Sequence, residues 1–276
     1  MIPVKICILP PVGGTFTKYG DEHKGNFVLQ AILENIRQKG GLDGVDVVVE
    51  KGYPVEVPQL ERDEEFFATR SVGILKRLRE ILDADKYDGV LCNSSIDPGV
   101  FAGQLVGNSY NVPVVFAMQA AVHMASFIGD RFSIIDLTDA MAQIDRRKVE
   151  SYGLGHRLAS VRAVGFNDTV TEQLAHDYTV RQNAEGYQKV IDAIVEQGIK
   201  AVEKERADTL LLACPVMLPF ENEIRKGLDE AGYEEIQLIT EVAAGLEMLK
   251  AMVNMKLLPA PRAFPSDYLK ATPEYR

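Results

Sequence analysis

Short apolar runs separated by amphipathic stretches make up most of this chain. Eight runs rich in Val, Ile and Leu predict strands that are buried on both faces; they cover residues 4–9, 45–49, 88–93, 112–117, 132–137, 161–165, 208–213 and 235–240. Apolar residues at three- and four-residue spacing predict helices over residues 24–38, 65–83, 97–109, 119–128, 138–151, 187–204, 219–231 and 241–255. Because strand and helix alternate, we expect an α/β fold with mainly parallel sheets, which bind ligands at the carboxyl ends of their strands.

One segment of the chain resembles another segment further along. Residues 88–94 read DGVLCNS and residues 208–214 read DTLLLAC, so that each runs from an Asp over five residues to a small nucleophilic side chain. A charged helix precedes each segment, and a turn with proline followed by another helix comes after it. The repeat predicts two copies of one α/β unit, with Ser94 and Cys214 in the same place just past a strand.

Cys214 is the first candidate for chemistry. It precedes Pro215 and a predicted helix, and a helix N-terminus lowers the pKa of a nearby thiol. The alternative is a core cysteine, since cysteines are among the most buried residues. Cys92 stands two residues short of the position of Ser94 and is predicted to be core, as is Cys7 within the first strand.

Composition and charge narrow the classes of partner. The chain has 276 residues, 46% of them hydrophobic, and a formal net charge of -10, which opposes binding to nucleic acid or to an anionic membrane. An odd number of cysteines, three, indicates free thiols in a reducing cytoplasm. The opening residues predict a first strand and not a signal peptide, and the chain contains no apolar run of 18 residues, so a cytoplasmic protein is expected.

Metal and nucleotide motifs are weak in this sequence. The four histidines have no metal-ligand spacing. Gly13 and Gly14 follow the first predicted strand and could let backbone amides approach an anion, although a plain tight turn explains them equally well. A Walker-type lysine is absent from the sequence, so a nucleotide site is not expected.

Four segments resemble the aspartate/glutamate/hydantoin racemase superfamily, and most of all its hydantoin and allantoin racemase branch. The resemblance implies two similar, pseudo-symmetric three-layer α/β domains with four-stranded sheets and an active site in the cleft between them. We expect residues 1–118 and 218–276 to form the first domain and residues 119–217 the second. The segments are DPGVFAGQL at 97–105, VPVVFAMQAAVHMASFIGDRFSI at 112–134, YGLGHRLASVRAVG at 152–165 and ADTLLLACPVM at 207–217.

The resemblance also implies a chemistry. Members of the family act without a cofactor or metal, and two cysteines serve as acid and base on opposite faces of a carbon next to a carboxylate or carbonyl. Here the implied catalytic residues are Cys214 and Ser94. The implied ligand is a small carboxylate or hydantoin-like molecule, and a homo-oligomer is expected; the implied substrate-binding residues are Pro11, Ser95, Gln119, Pro215 and Val216.

The sequence departs from the family pattern at the first cysteine. In hydantoin-type members that cysteine stands three residues before the Asp-Pro-Gly turn, and here the position holds Ser94. A competing alignment matches residues 92–94 to the Cys-Asn-Thr of glutamate racemases and restores a cysteine pair, but it breaks the repeat. A hydroxyl is a far weaker acid than a thiol, and Pro215 offers no amide proton.

Three functions are therefore compatible with the sequence. The first is a cofactor-independent racemase or epimerase. The second is a single-cysteine enzyme, either a decarboxylase of the arylmalonate type or a cis/trans isomerase of the maleate type. The third is a non-catalytic protein that binds a small ligand in the same cleft.

Overall fold

A computed structural model describes residues 3–10, 24–52, 64–84, 86–260 and 263–264. Within them the strands are β1 (Val4–Leu9), β2 (Val45–Val49), β3 (Gly89–Cys92), β4 (Val114–Phe116), β5 (Phe132–Asp136), β6 (Leu158–Ala163), β7 (Thr209–Leu212) and β8 (Gln237–Thr240). The helices are α1 (Lys24–Gln38), α2 (Glu64–Asp83), α3 (Val100–Tyr110), α4 (Ala117–Ile128), α5 (Asp139–Ser151), α6 (Asp168–Thr179), α7 (Ala184–Glu205), α8 (Glu221–Glu230) and α9 (Glu241–Met255), with 3-10 helices at Gly155–Arg157 and Pro215–Phe220.

The strands form two parallel four-stranded sheets with the same topology. The first has the order β2-β1-β3-β4 and the second the order β6-β5-β7-β8, and every strand pair is parallel. The predicted α/β class and all eight predicted strands are confirmed. The helix over residues 168–179 is an addition that the sequence pattern did not predict.

The chain folds into two compact units. The first comprises residues 1–15, 42–117 and 245–276, and the second residues 16–41 and 118–244. The chain passes from the first unit to the second between residues 117 and 118, where 118 is the expected boundary, and it returns between residues 244 and 245, where the expectation is 217. The difference arises because β8 pairs with β7, and because α1 joins the second unit, where the Asn35 side-chain amide donates to the Pro219 carbonyl.

In the first unit, glycines allow close packing on both faces of the sheet. A Cβ at Gly89 would lie 2.8 Å from Leu249 of α9, so β3 and α9 approach closely on one face. On the other face, a Cβ at Gly103 of α3 would lie 2.5 Å from the Phe116 ring. Phe116 is fully buried, and this contact fixes α3 over the sheet.

One buried cluster of the second unit lies between its sheet and helices α4 and α5. Met118 and Ala121 of α4 share one buried cluster with Phe132 of β5 and Ala213, the residue before Cys214. This contact places the first turn of α4 beside the end of β7. Among the described residues, no helix is both long enough and apolar enough to cross a membrane.

Candidate active site

The two aspartates of the repeat make the same bonds in the two units. The Asp88 carboxylate accepts a hydrogen bond from the Lys5 amide at 2.7 Å, and the Asp88 amide donates to the Lys5 carbonyl at 2.8 Å. Correspondingly, the Asp208 carboxylate accepts from the Arg131 amide at 3.0 Å, and the Asp208 amide donates to the Arg131 carbonyl at 2.9 Å. Each aspartate thus ties the third strand of its sheet to the start of the first.

The equivalence continues to the other end of the strands. Five residues after each aspartate, the Asn93 amide donates to the Leu9 carbonyl at 2.9 Å, and the Ala213 amide donates to the Ile135 carbonyl at 3.0 Å. Among the described residues, no later backbone hydrogen bond joins β3 to β1 or β7 to β5. The next residues in the chain are Ser94 and Cys214, so the structure confirms that the repeat puts them in equivalent positions at the carboxyl ends of β3 and β7.

Cys214 lies at a strained point of the backbone. Its φ is 66° and its ψ is 109°, outside the conformations that non-glycine residues ordinarily adopt. Such strain costs about 1–3 kcal/mol and is concentrated at functional sites. The Cys214 carbonyl accepts a hydrogen bond from the Met217 amide at 3.0 Å, and the residue is 4% exposed.

The two predicted ligand residues after Cys214 begin a 3-10 helix. Pro215 occupies its first position, where its missing N–H removes no helical hydrogen bond. Val216 is buried. The sharp turn at Cys214 therefore places the thiol, Pro215 and Val216 together at the carboxyl edge of the second sheet.

Ser94 begins the turn that leads to α3. Its carbonyl accepts from the Asp97 amide at 3.2 Å, and Gly99 then has a φ of 74° with a Cβ position only 3.3 Å from Ser71 of α2. Ser94 and Ser95 are 6% and 5% exposed. Within the described part of the chain, no side chain that could act as a base is hydrogen-bonded to either hydroxyl.

The other two cysteines lie in the core of the first unit. Cys92 is the last residue of β3 and is fully buried; burial, followed by the charges of Cys7 and Asp97, raises the pKa of its thiol well above the usual value. Burial, followed by the negative charge of Glu50, raises the pKa of Cys7 to about 12. The protonated form of both thiols is therefore favoured near neutral pH.

Of the remaining two predicted substrate-binding residues, the structure describes Gln119 but not Pro11. Gln119 is half-buried in the first turn of α4, and its carbonyl oxygen lies 2.8 Å from Nδ1 of His123. It belongs to the same unit as Cys214. Pro11 lies outside the described residues.

Asn93 is a polar residue at the site that sequence reasoning passed over. It is 3% exposed, and its side-chain oxygen Oδ1 has no hydrogen-bond partner among the described residues. A buried acceptor without a donor costs about 1–3 kcal/mol. In the repeat Asn93 matches Ala213, and this exchange of an apolar for an amide side chain is the signal that could have marked it.

Metal-binding groups are not clustered in the described segments. Among these residues, no group of three His, Cys, Asp or Glu side chains could hold a metal ion. The polar side chains at the ends of β3 and β7 are the Cys214 thiol, the hydroxyls of Ser94 and Ser95, and the Asn93 amide.

These features define an α/β protein with two repeated units, each of which ends its third strand in a small nucleophilic side chain. The chain belongs to the Asp/Glu/Hydantoin racemase family, whose model matches residues 27–249. It is 26% identical over 159 residues to a hydantoin racemase of Pseudomonas sp. (strain NS671), an alignment that covers 58% of this chain. The chain thus spans about half the length, 55%, of that curated relative.

Solved structures show the same fold over nearly the whole chain. An allantoin racemase from Pseudomonas fluorescens matches with a TM-score of 0.73 and 20% identity, covering 95% of this chain and 97% of that one. An allantoin racemase from Klebsiella pneumoniae matches with a TM-score of 0.70 and 21% identity, covering 95% and 94%. The expected two-domain α/β architecture is thereby confirmed.

Proposed function

We propose that this protein is a cofactor-independent racemase or epimerase that moves a proton at a carbon next to a carboxylate or carbonyl. Cys214 is the acid/base on one face of that carbon, and Ser94 occupies the place of the opposing group. The observation that carries the proposal is the matched position of Ser94 and Cys214 at the carboxyl ends of two equivalent strands. Membership of the racemase family supports it.

Proton transfer between two faces requires two groups that exchange roles. A thiol with a pKa of about 8.5 is present in both forms near neutral pH and can do either task. Cys214 is suited to it because its strained turn presents the thiol at the edge of the sheet, where a substrate can bind. A hydroxyl resembles water, whose pKa is about 15.7, so Ser94 is the slower partner.

The strand ends also offer groups that suit an anionic substrate. Within the described segments, the amides of Ser94 and Ser95 donate to no other backbone carbonyl. Amides directed at a carboxylate or ring carbonyl stabilise the enolate-like transition state that follows removal of the proton. We therefore assign Ser95, together with Gln119, Val216, Pro215 and Pro11, to the binding of the substrate.

Asn93 narrows the class of substrate. Its Oδ1 is a buried acceptor that lacks a donor among the described residues, and a hydantoin ring N–H or an amino group beside the reacting carbon supplies one. Malonates and maleate carry no such N–H. We therefore favour hydantoin-like molecules and amino acids, and we expect Asn93→Ala to raise KM for them about tenfold, the equivalent of one lost hydrogen bond of about 1.4 kcal/mol.

A panel of enantiopure substrates tests the proposal. Hydantoins and amino acids are incubated with the full chain, and the appearance of the opposite enantiomer is followed by chiral chromatography. We expect racemisation of at least one compound, with a loss of about 10²–10⁴-fold in Cys214→Ala, the usual contribution of a general acid or base. Cys7→Ala is the matched control because it removes a core thiol whose protonated form is favoured.

One observation favours a second candidate. Because the position in the first unit that is equivalent to Cys214 holds a hydroxyl, the chain has one thiol in place of two at these strand ends. A single acid that protonates an enolate from one face suits a decarboxylase, so aryl-substituted malonates belong on the panel. Carbon dioxide release from a malonate without racemisation of any hydantoin or amino acid would replace the racemase by this alternative.

A further inference from the structure

The first unit contains a cavity at the opposite edge of its sheet from Ser94. Its volume is about 310 Å³, at the lower end of the range for small-molecule pockets. Ile81, Leu82 and Val112 provide its apolar lining. The cavity lies where α2 and α3 end and β3 begins, whereas Ser94 follows the far end of β3.

Hydrogen bonds fix the two aromatic walls of the cavity. The Tyr110 hydroxyl donates to Oδ1 of Asp83 at 2.6 Å, and the Tyr87 hydroxyl donates to Oε1 of Glu50 at 2.5 Å. The bond to Asp83 raises the pKa of Tyr110 above its usual value, so the phenol keeps its proton and its bond. Because the rings are already held, a ligand does not have to order them when it binds.

The lining carries one carboxylate and one ammonium group, and the ammonium group is the one that has no partner among the described residues. Lys86 lines the cavity, and among the described residues its ammonium group has no ion pair or hydrogen bond. Asp83 is the acidic residue of the lining. It keeps its negative charge, and its Oδ1 accepts the hydrogen bond from the Tyr110 hydroxyl. An ammonium group next to aromatic and aliphatic walls suits an anion that carries an apolar ring.

We propose that this cavity is a second ligand site, which binds small aromatic monocarboxylates. The ring of the ligand packs between Tyr87 and Tyr110 over the aliphatic floor, and its carboxylate pairs with Lys86. The site is independent of the proposed catalytic residues, because it lies at the amino-terminal edge of the sheet.

Phenylacetate and its uncharged analogue phenylacetamide test this site on the full chain. Saturation-transfer NMR detects binding, and titration calorimetry gives the affinity. We expect Lys86→Gln to weaken phenylacetate binding about fivefold and to leave phenylacetamide unchanged, since only the charged pair is lost. Val112→Phe, which fills a partly exposed position of the lining, should abolish binding of both.

Two control variants separate this site from the catalytic one. Lys226→Gln makes the same change of net charge on an exposed helix of the second unit and should bind phenylacetate like the parent. Cys214→Ala should also bind it normally, whatever its effect on racemisation. Absence of binding to the parent protein, or equal binding by Val112→Phe and the parent, would overturn the proposal.

Discussion

The substitution Ser94→Cys should turn a slow racemase into a fast one. Ser94 stands at the position equivalent to Cys214, and in the proposed function these two residues are the acid and the base. Within the described residues the Ser94 hydroxyl has no hydrogen-bond partner, so its replacement by a thiol breaks no bond. The residue also lies outside β3, and its exchange does not disturb the strand ladder.

The size of the gain follows from the ionisation of the two groups. At pH 7.5 about a tenth of a thiol with a pKa of 8.5 is thiolate, whereas the ionised fraction of a hydroxyl resembling water is on the order of 10⁻⁸. A weaker base is intrinsically less reactive, so the rate does not follow the ionised fraction in full. We expect a gain of about 10²-fold or more, within the range of general acid–base catalysis.

Chiral chromatography of a single enantiopure substrate measures this gain. The Ser94→Cys rate should rise with pH to a maximum near about 8.5 and fall above it, because one thiol must be ionised while the other is protonated. Ser94→Ala should racemise no faster than the parent. Cys92→Ala is the decisive companion, because the competing alignment makes Cys92 the second base. Loss of racemisation in Cys92→Ala, together with no gain in Ser94→Cys, would refute the assignment of Ser94.

Two further predictions concern reactivity and packing. Iodoacetamide at pH 8 should alkylate Cys214 and leave Cys7 and Cys92 unmodified in the folded protein, because burial raises the pKa values of Cys7 and Cys92 and favours their thiol forms. Peptide mass spectrometry identifies the modified cysteines. Modification of Cys92 at a rate comparable to that of Cys214 would contradict this prediction. Gly103→Ala should lower stability by about 1–3 kcal/mol, because its new methyl group would lie 2.5 Å from the Phe116 ring; an unchanged thermal midpoint would contradict the close packing of α3.

The strands could be predicted from the sequence because parallel strands are buried on both faces and are apolar almost throughout. Helix α6 could not, since three of its buried residues, Thr171, Glu172 and Asp177, are polar, while the apolar Val170 is 44% exposed. The return of the chain from the second unit to the first, between residues 244 and 245, could not be predicted either. It depends on the pairing of β8 with β7, which is a long-range contact with no local pattern.

The candidate site, like the fold, could be predicted from the sequence only in part. The spacing of the repeat was sufficient to identify Ser94 as the equivalent of Cys214, because six residues from an aspartate is a property of the sequence. The strained φ of Cys214 could not be predicted, since non-glycine residues seldom adopt it. The orphaned oxygen of Asn93 also required the structure, because whether a buried amide finds a donor depends on neighbours that are distant in sequence.

Proton exchange in heavy water shows whether protons are moved at both faces of the reacting carbon and whether Cys214 moves them. The two enantiomers of a compound that the enzyme racemises are incubated separately with the protein, and NMR follows the α-proton of each. The account predicts that deuterium enters the α-carbon from both starting enantiomers, and that Cys214→Ala abolishes this while Cys7→Ala does not. Exchange from only one enantiomer, or full exchange in Cys214→Ala, would contradict it.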